Sequence, residues 1–214
     1  MAKTQPFDEY PDEYEMWFEN HLYVYLSEVE ALRSLIPRWK KGVEIGVGTG
    51  RFAHPFGIKE GVEPSKAMRR LALRKGLKVR DGVAEALPFR NESFDFALMV
   101  TTICFVDDVR KSFEEVYRIL KHDGRFVLGI VDGESSLGQT YQRIKNASKF
   151  YSVAHFYTID DIIAHLDETG FGDVKIVQTV FGDLGAIDDV QVCRAGYGDG
   201  GFVAISAIKI EPSG

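Results

Sequence analysis

The sequence predicts a doubly wound α/β sheet, and three observations carry that expectation. Short hydrophobic runs alternate with segments whose apolar residues recur every three or four positions. The run FDFALMV, Phe94 to Val100, is apolar at almost every place, as a parallel strand covered on both faces must be. A glycine-rich turn, VEIGVGTG at 43–50, follows the first strand-like run, the position where open α/β sheets form their ligand crevice.

Taken in order, residues from about Asp12 to Ile36 are predicted to form one helix. Trp17, Phe18, Leu22, Tyr25, Leu26, Val29, Leu32 and Leu35 form its apolar stripe, and Pro37 ends it. Val43 to Gly46, Gly61 to Glu63 and Leu77 to Arg80 are the first three strands. Between the last two, Pro64-Ser65-Lys66 opens a helix running to about Lys75. After the fourth strand, Val109 to Leu120 carries Phe113, Val116, Tyr117 and Leu120 on one helical side, and Asp123-Gly124 turns the chain into a fifth strand, Arg125 to Val131. Ile159 to Thr169 is helical and closed by Gly170. Val174 to Phe181 and Phe202 to Ile210 have no helix between them, so they are expected to pair antiparallel at one edge. The glycine- and aspartate-rich stretch between them, 182–201, is expected to be a loop of the length that usually carries function.

The 214 residues suffice for one domain with a substantial core, and 45% apolar content excludes a disordered chain. A net charge of −6 argues against a nucleic-acid partner, whose affinity depends on clustered Lys and Arg. The two cysteines, Cys104 and Cys193, give no disulfide framework. The first twenty residues lack the apolar segment of a signal peptide, and no run approaches the ~18 apolar residues of a membrane span. A cytoplasmic protein is expected, with no membrane partner.

The glycine turn admits three ligand classes. The dinucleotide pattern G-x-G-x-x-G fits Gly46 and Gly48, but its third glycine would fall on Arg51. The phosphate-loop pattern fails because no Gly-Lys-Ser/Thr follows. What remains is E-x-G-x-G-x-G from Glu44 through Gly50. Glu63 closes the second strand roughly 20 residues on, where an acidic side chain accepts from both ribose hydroxyls in related folds.

With VEIGVGTG (43–50), GVEPSKAM (61–68), GVAEALPF (82–89), SFDFALMVTTICFVDD (93–108) and LKHDGRFVLGIV (120–131) in this order, the chain resembles the class I S-adenosylmethionine-dependent methyltransferases, in particular the small-molecule branch called methyltransferase type 11. The resemblance implies a Rossmann-like seven-stranded sheet, mostly parallel, with an antiparallel strand near the C-terminal edge and an N-terminal helical cap. It implies one domain over 1–214, with the cap at 1–37, a cofactor-binding core at 42–131 and acceptor-side helices and edge strands at 132–214. By the same resemblance Gly46, Gly48 and Gly50 pass close to the cofactor, Glu44 orders the loop, and Glu63, with Pro64 beside it, holds the ribose. Ala84 offers its backbone N–H to adenine with Glu85 next to it, and Thr101 and Thr102 face the methionine end. Two positions depart from the family: Val83 stands where many relatives have Asp, leaving Glu85, backbone or water for the adenine amino group, and Leu120-Lys121-His122-Asp123-Gly124 replaces L-K-P-G-G.

S-adenosylmethionine carries an activated methyl group, so the protein's main task is alignment, with a base needed only if the acceptor must lose a proton. Thr101-Thr102-Ile103-Cys104 does not match the Asn/Asp-Pro-Pro-aromatic run of amino-methylating nucleic-acid enzymes. Asp132 alone does not make the acidic metal set of catechol-type enzymes, so no metal is expected. The expected partner is a small-molecule acceptor, held by aromatic residues of the N-terminal helix and of the segment after strand five: Tyr10, Tyr14, Trp17, Phe18 and Tyr25, then Tyr141, Phe150, Tyr151, Phe156 and Tyr157. His21 and His155 are the candidate bases, and Cys104 is read as pocket lining. The alternative is a protein that binds S-adenosylmethionine or S-adenosylhomocysteine without transfer, as a sensor or complex subunit.

Overall fold

The structure, a computed structural model, describes residues 3–38 and 40–210. Three N-terminal helices, α1 (Gln5–Glu9), α2 (Pro11–Asn20) and α3 (Leu22–Arg33), lead into β1 (Gly42–Ile45). Then follow β2 (Glu60–Val62), α4 (Lys66–Arg74), β3 (Lys78–Arg80), β4 (Phe94–Val100), α5 (Val109–Ile119), β5 (Leu120–Val131), α6 (Ser136–Ile144), α7 (Ile159–Glu168), β6 (Phe171–Thr179), β7 (Arg194–Ala195) and β8 (Phe202–Lys209).

The strands form one sheet in the order β3-β2-β1-β4-β5-β8-β6-β7. The first five are parallel, and β8 inserts antiparallel between β5 and β6. The chain leaves β1 towards β2 on one side and returns to β4 on the other. The crevice between the C-terminal ends of β1 and β4 is the topological switch point, where such sheets bind ligands. The apolarity of β4 is used on both faces. Ala97 and Met99 pack with Phe113, Phe126 and Leu166, while Phe96, Leu98 and Val100 pack with Leu32, Phe52 and Ala204. Helix starts follow local chemistry: the Ser65, Asp108 and Ser135 side chains accept from Met68, Lys111 and Gly138 N–H, and Thr158 forms a reciprocal box with Asp161.

Several expectations are corrected. The single helix over Asp12 to Ile36 is broken at His21, whose backbone (φ −125°, ψ 47°) is not helical. The break re-phases the buried face: Val24, Ser27, Glu28, Val29, Ala31 and Leu32 point inward, and Leu22 of the expected stripe is exposed. The sheet has eight strands rather than seven, because the short β7 pairs Ala195 and Arg194 with Val177 and Gln178 of β6 inside the expected loop. Asp123 (φ +55°) and Gly124 lie within β5 at a register shift, Leu120 opposing Phe94 and Arg125 opposing Phe96. Helix α6 occupies a stretch that the reading above leaves unassigned. Gly138 lets it close on the end of β5, since a Cβ there would fall on the Asp132 carbonyl. No helix of the described residues is long and apolar enough to cross a membrane.

Candidate functional site

At the switch point the chain must turn sharply from β1 towards α2 and α3 and leave room for a ligand. Gly46, Gly48 and Gly50 make that turn with φ of +68°, +53° and +88°, conformations open to glycine at little cost. The turn is tied to its neighbours by backbone: Gly46 and Val47 N–H donate to the Val62 carbonyl at 2.8 and 3.0 Å. A Cβ on Gly46 would sit on the Thr102 side chain, whose hydroxyl donates to the Val100 carbonyl at 3.0 Å. Gly46→Ala should therefore combine the left-handed backbone penalty of about 1–2 kcal/mol with this collision. The expected result is a thermal midpoint lower by roughly 4–10 °C, read by calorimetry.

Glu63 is the centre of this corner. Its side chain is 7% exposed; one carboxylate oxygen accepts from Gly48 N–H and the other from Ser65 N–H, both at 2.8 Å. Burial pushes its carboxyl up to about 7, while the two N–H groups and Arg69 pull against that rise. Each oxygen keeps a lone pair for a further donor. Glu44, 2% exposed, lies behind the turn. Burial, with the Glu63 carboxylate close by, holds its proton affinity well above the ordinary range, and its Oε2 has no partner.

Gly46, Gly48, Glu63, Pro64, Ala84, Glu85, Thr101 and Thr102 line one cavity of about 470 Å³, whereas Glu44 and Gly50 stand outside its lining. That volume is within the ~300–1,000 Å³ usual for small-molecule sites. Glu85 Oε1 accepts from Asp107 and Asp108 N–H at 2.7 and 3.2 Å, tying the 82–86 turn to the start of α5. Val83 lines the cavity beside it. Thr101 adopts φ +47°, rare for a β-branched residue; its N–H donates to the Gly129 carbonyl at 2.7 Å and its carbonyl accepts from the Cys104 thiol. Such strain at the end of a central strand persists only because the surrounding contacts hold it.

The rest of the wall comes from the N-terminal helices and α6. Tyr14, Trp17, Phe18, Tyr141, Phe150 and Tyr151 line the cavity; Tyr10, Tyr25, Phe156 and Tyr157 do not. His21 lines it too, its ring stacked on Trp17 at 4.7 Å and its Nδ1 2.9 Å from the Trp17 carbonyl. His155 lies elsewhere, beside Tyr157 at a small void of about 20 Å³ behind Thr101 that Cys104 also lines. The Cys104 thiol, pushed up to about 12 by burial, stays protonated. Among the described residues no three or more His, Cys, Asp or Glu are grouped to hold a metal ion.

Among the cavity residues with no place in the reading from sequence, one carries a charge-bearing group in the interior. Glu28 of α3 is 6% exposed and lines the same cavity. Its signal is positional: it lies four residues from both Val24 and Leu32, on the face that is buried once the helix restarts at Leu22.

A family model described as a methyltransferase domain matches residues 43–128. An uncharacterized protein of Methanocaldococcus jannaschii is 47% identical over 204 residues, which cover 95% of this chain and 98% of that one. An uncharacterized protein of Mycobacterium tuberculosis is 35% identical over 201 residues, 91% of this chain and 70% of the other. Among solved structures, a Thermotoga maritima protein described as an S-adenosylmethionine-dependent methyltransferase and possible histamine N-methyltransferase superposes with a TM-score of 0.94 at 47% identity, covering 96% of this chain and 99% of its own.

Proposed function

Since the chain belongs to the class I S-adenosylmethionine-dependent methyltransferases, we propose that it transfers the methyl group to a small-molecule acceptor bound in the same cavity as the donor. The observation that carries this reading is the continuity of that cavity. The nucleoside-type corner of Gly46, Gly48, Glu63 and Ala84 opens into a second region walled by aromatic side chains of α2 and α6. A protein that only sensed the nucleoside has no use for the second region, so the non-enzymatic alternative is not favoured.

The residues fit the donor at its distinctive parts. S-adenosylmethionine supplies a methyl group already activated on a sulfonium. Glu63 accepts from the ribose hydroxyls while its Gly48 and Ser65 contacts hold it in place, with Pro64 completing that wall. Gly46 and Gly48 leave their backbone open to close approach, and Ala84 offers its N–H at the adenine end. Glu85 acts there as an anchor for the 82–86 turn. Thr101 and Thr102, at the end of β4, border the reacting end, and Glu44 keeps the turn in shape from behind. His21 is the better placed of the two histidines for acceptor contact, and the acceptor needs no metal. The protein works in the cytoplasm. An amine is one acceptor class that suits such a cavity, as the description of the T. maritima relative suggests for that protein.

Calorimetry with S-adenosylmethionine, S-adenosylhomocysteine and NAD tests the reading: the two sulfur nucleosides bind and NAD does not. Binding of NAD alone would falsify it. The titration also has a pH signature. With Glu63 protonated below about 7, ribose binding favours its ionised, doubly accepting form. Affinity for S-adenosylhomocysteine should rise a few-fold from pH 6 to pH 8 with release of a proton, and Glu63→Gln should flatten that rise.

A further inference from the structure

Glu28 is a carboxylic acid buried against aromatic side chains with nothing to hold it. No described residue donates a hydrogen bond to it or forms an ion pair with it, and burial alone pushes its carboxyl up to about 8. A buried polar group left this way is costly, and native structures rarely keep one without a use. The group is not sealed in the core: it lines the cavity. Its helix packs against β5, β6 and β8, whereas Glu63 ends β2 on the other side of β1 and β4. Glu28 and Glu63 therefore reach one cavity from different parts of the sheet, and of the two only Glu63 has hydrogen-bond partners among the described residues.

The surroundings of Glu28 are apolar and aromatic. The phenols of Tyr14, Tyr141 and Tyr151 lie close enough to feel its charge, and burial keeps all three protonated. Tyr141 and Tyr151 stack at 4.4 Å and 26°. From the open side, the 182–201 segment is pinned over α3 by the Gln191 N–H donating to Ser27 Oγ at 2.9 Å, and Leu184 completes the wall. Lys3, the lysine in the cavity lining, is directed to the Val106 carbonyl at 3.4 Å; an unpartnered carboxylate among several aromatic faces selects a ligand with a positively charged or proton-bearing nitrogen on a flat apolar body. A carboxylate or phosphate acceptor would place two negative groups together in a low-dielectric space.

Resting on the methyltransferase reading, we propose that Glu28 is the acceptor-binding group, recognising an arylalkyl amine and taking its proton. The ammonium N–H bond breaks, the proton passes to the Glu28 carboxylate, and the electron pair stays on nitrogen. A neutral amine with a free lone pair is left beside the protonated acid. The transfer also removes the ammonium charge that would otherwise face a sulfonium. Glu28 thus supplies the base at this end of the cavity.

The test uses the full chain saturated with S-adenosylhomocysteine. A panel of 2-phenylethylamine, tryptamine and benzylamine is titrated by calorimetry against the matching alcohols, 2-phenylethanol, tryptophol and benzyl alcohol. At least one amine should bind ten-fold or more tightly than its alcohol. Glu28→Gln should abolish that preference while its affinity for S-adenosylhomocysteine stays within two-fold of the wild type, which also certifies its fold. Alcohols matching their amines throughout the panel overturn the proposal on wild-type protein alone, whether or not the variant folds. An amine preference that survives in Glu28→Gln overturns it too. Failure of S-adenosylhomocysteine itself to bind is a separate result, and it falls on the methyltransferase reading.

Discussion

Glu63→Ala is expected to weaken S-adenosylhomocysteine binding by about 1–3 kcal/mol, or roughly 5- to 150-fold, measured by calorimetry at pH 8 where the wild-type carboxyl is ionised. The effect should lie towards the upper end because Glu63 does two things. On the proposed reading it accepts from the ribose, and it also holds the glycine turn by accepting from Gly48 N–H while fixing the start of α4 through Ser65 N–H. The alanine variant leaves both donors buried without an acceptor. Glu63→Gln keeps one acceptor oxygen and should recover part of the loss. Equal affinities for wild type and Glu63→Ala would mean the ribose lies elsewhere in the cavity.

Glu28→Gln should make the protein more stable at alkaline pH and change little at acid pH. The sign follows from where the proton sits. In the unfolded chain Glu28 ionises near its ordinary 4.5; in the folded protein it does so only near about 8. Below 4.5 both states hold the proton and the group contributes no pH dependence. Between 4.5 and 8 the folded state binds more protons than the unfolded one, so stability falls as pH rises, and above 8 the loss is complete. Tyr14, Tyr25, Tyr141 and Tyr151 feel this carboxylate, and all four phenols stay neutral across that window. Glutamine has no proton to lose and escapes the whole penalty. The expected gain at pH 8 is on the order of 2–5 kcal/mol, read from urea unfolding at pH 4.5 and pH 8. Glu44 and Glu63, raised in the same direction by burial, should leave a residual decline in the variant. A gain that is the same at both pH values would show that Glu28 is not titrating in this window.

These two glutamates also mark how far the sequence could be read. The position of Glu63 was legible because it is set by local geometry. It follows a short strand, stands a fixed distance after the glycine turn, and precedes a Ser-capped helix, so spacing along the chain translates directly into position in space. The same holds for Gly46, Gly48 and Gly50, for the two-faced apolarity of β4, and for the antiparallel pair at the C-terminal edge. Each depends on residues near one another in sequence or on the one topology that βα alternation allows.

What the sequence by itself determined, then, is the doubly wound sheet and the glycine corner closed by Glu63, because periodicity and turn chemistry act over a few residues. The tertiary structure alone decided the aromatic side of the cavity. A continuous apolar stripe from Trp17 to Leu35 conceals the break at His21, since nothing in the pattern states which backbone angle one residue adopts against its neighbours. Once the helix restarts, its inward face turns, Leu22 moves to solvent and Glu28 enters the cavity. Helix α6 reaches the same cavity only because Gly138 permits close contact with the Asp132 carbonyl, and His155 misses it because the chain behind Thr101 folds into a separate void. A carboxylate's surroundings are assembled from elements more than a hundred residues apart, and only their packing shows that Glu28 is left without a partner among the described residues.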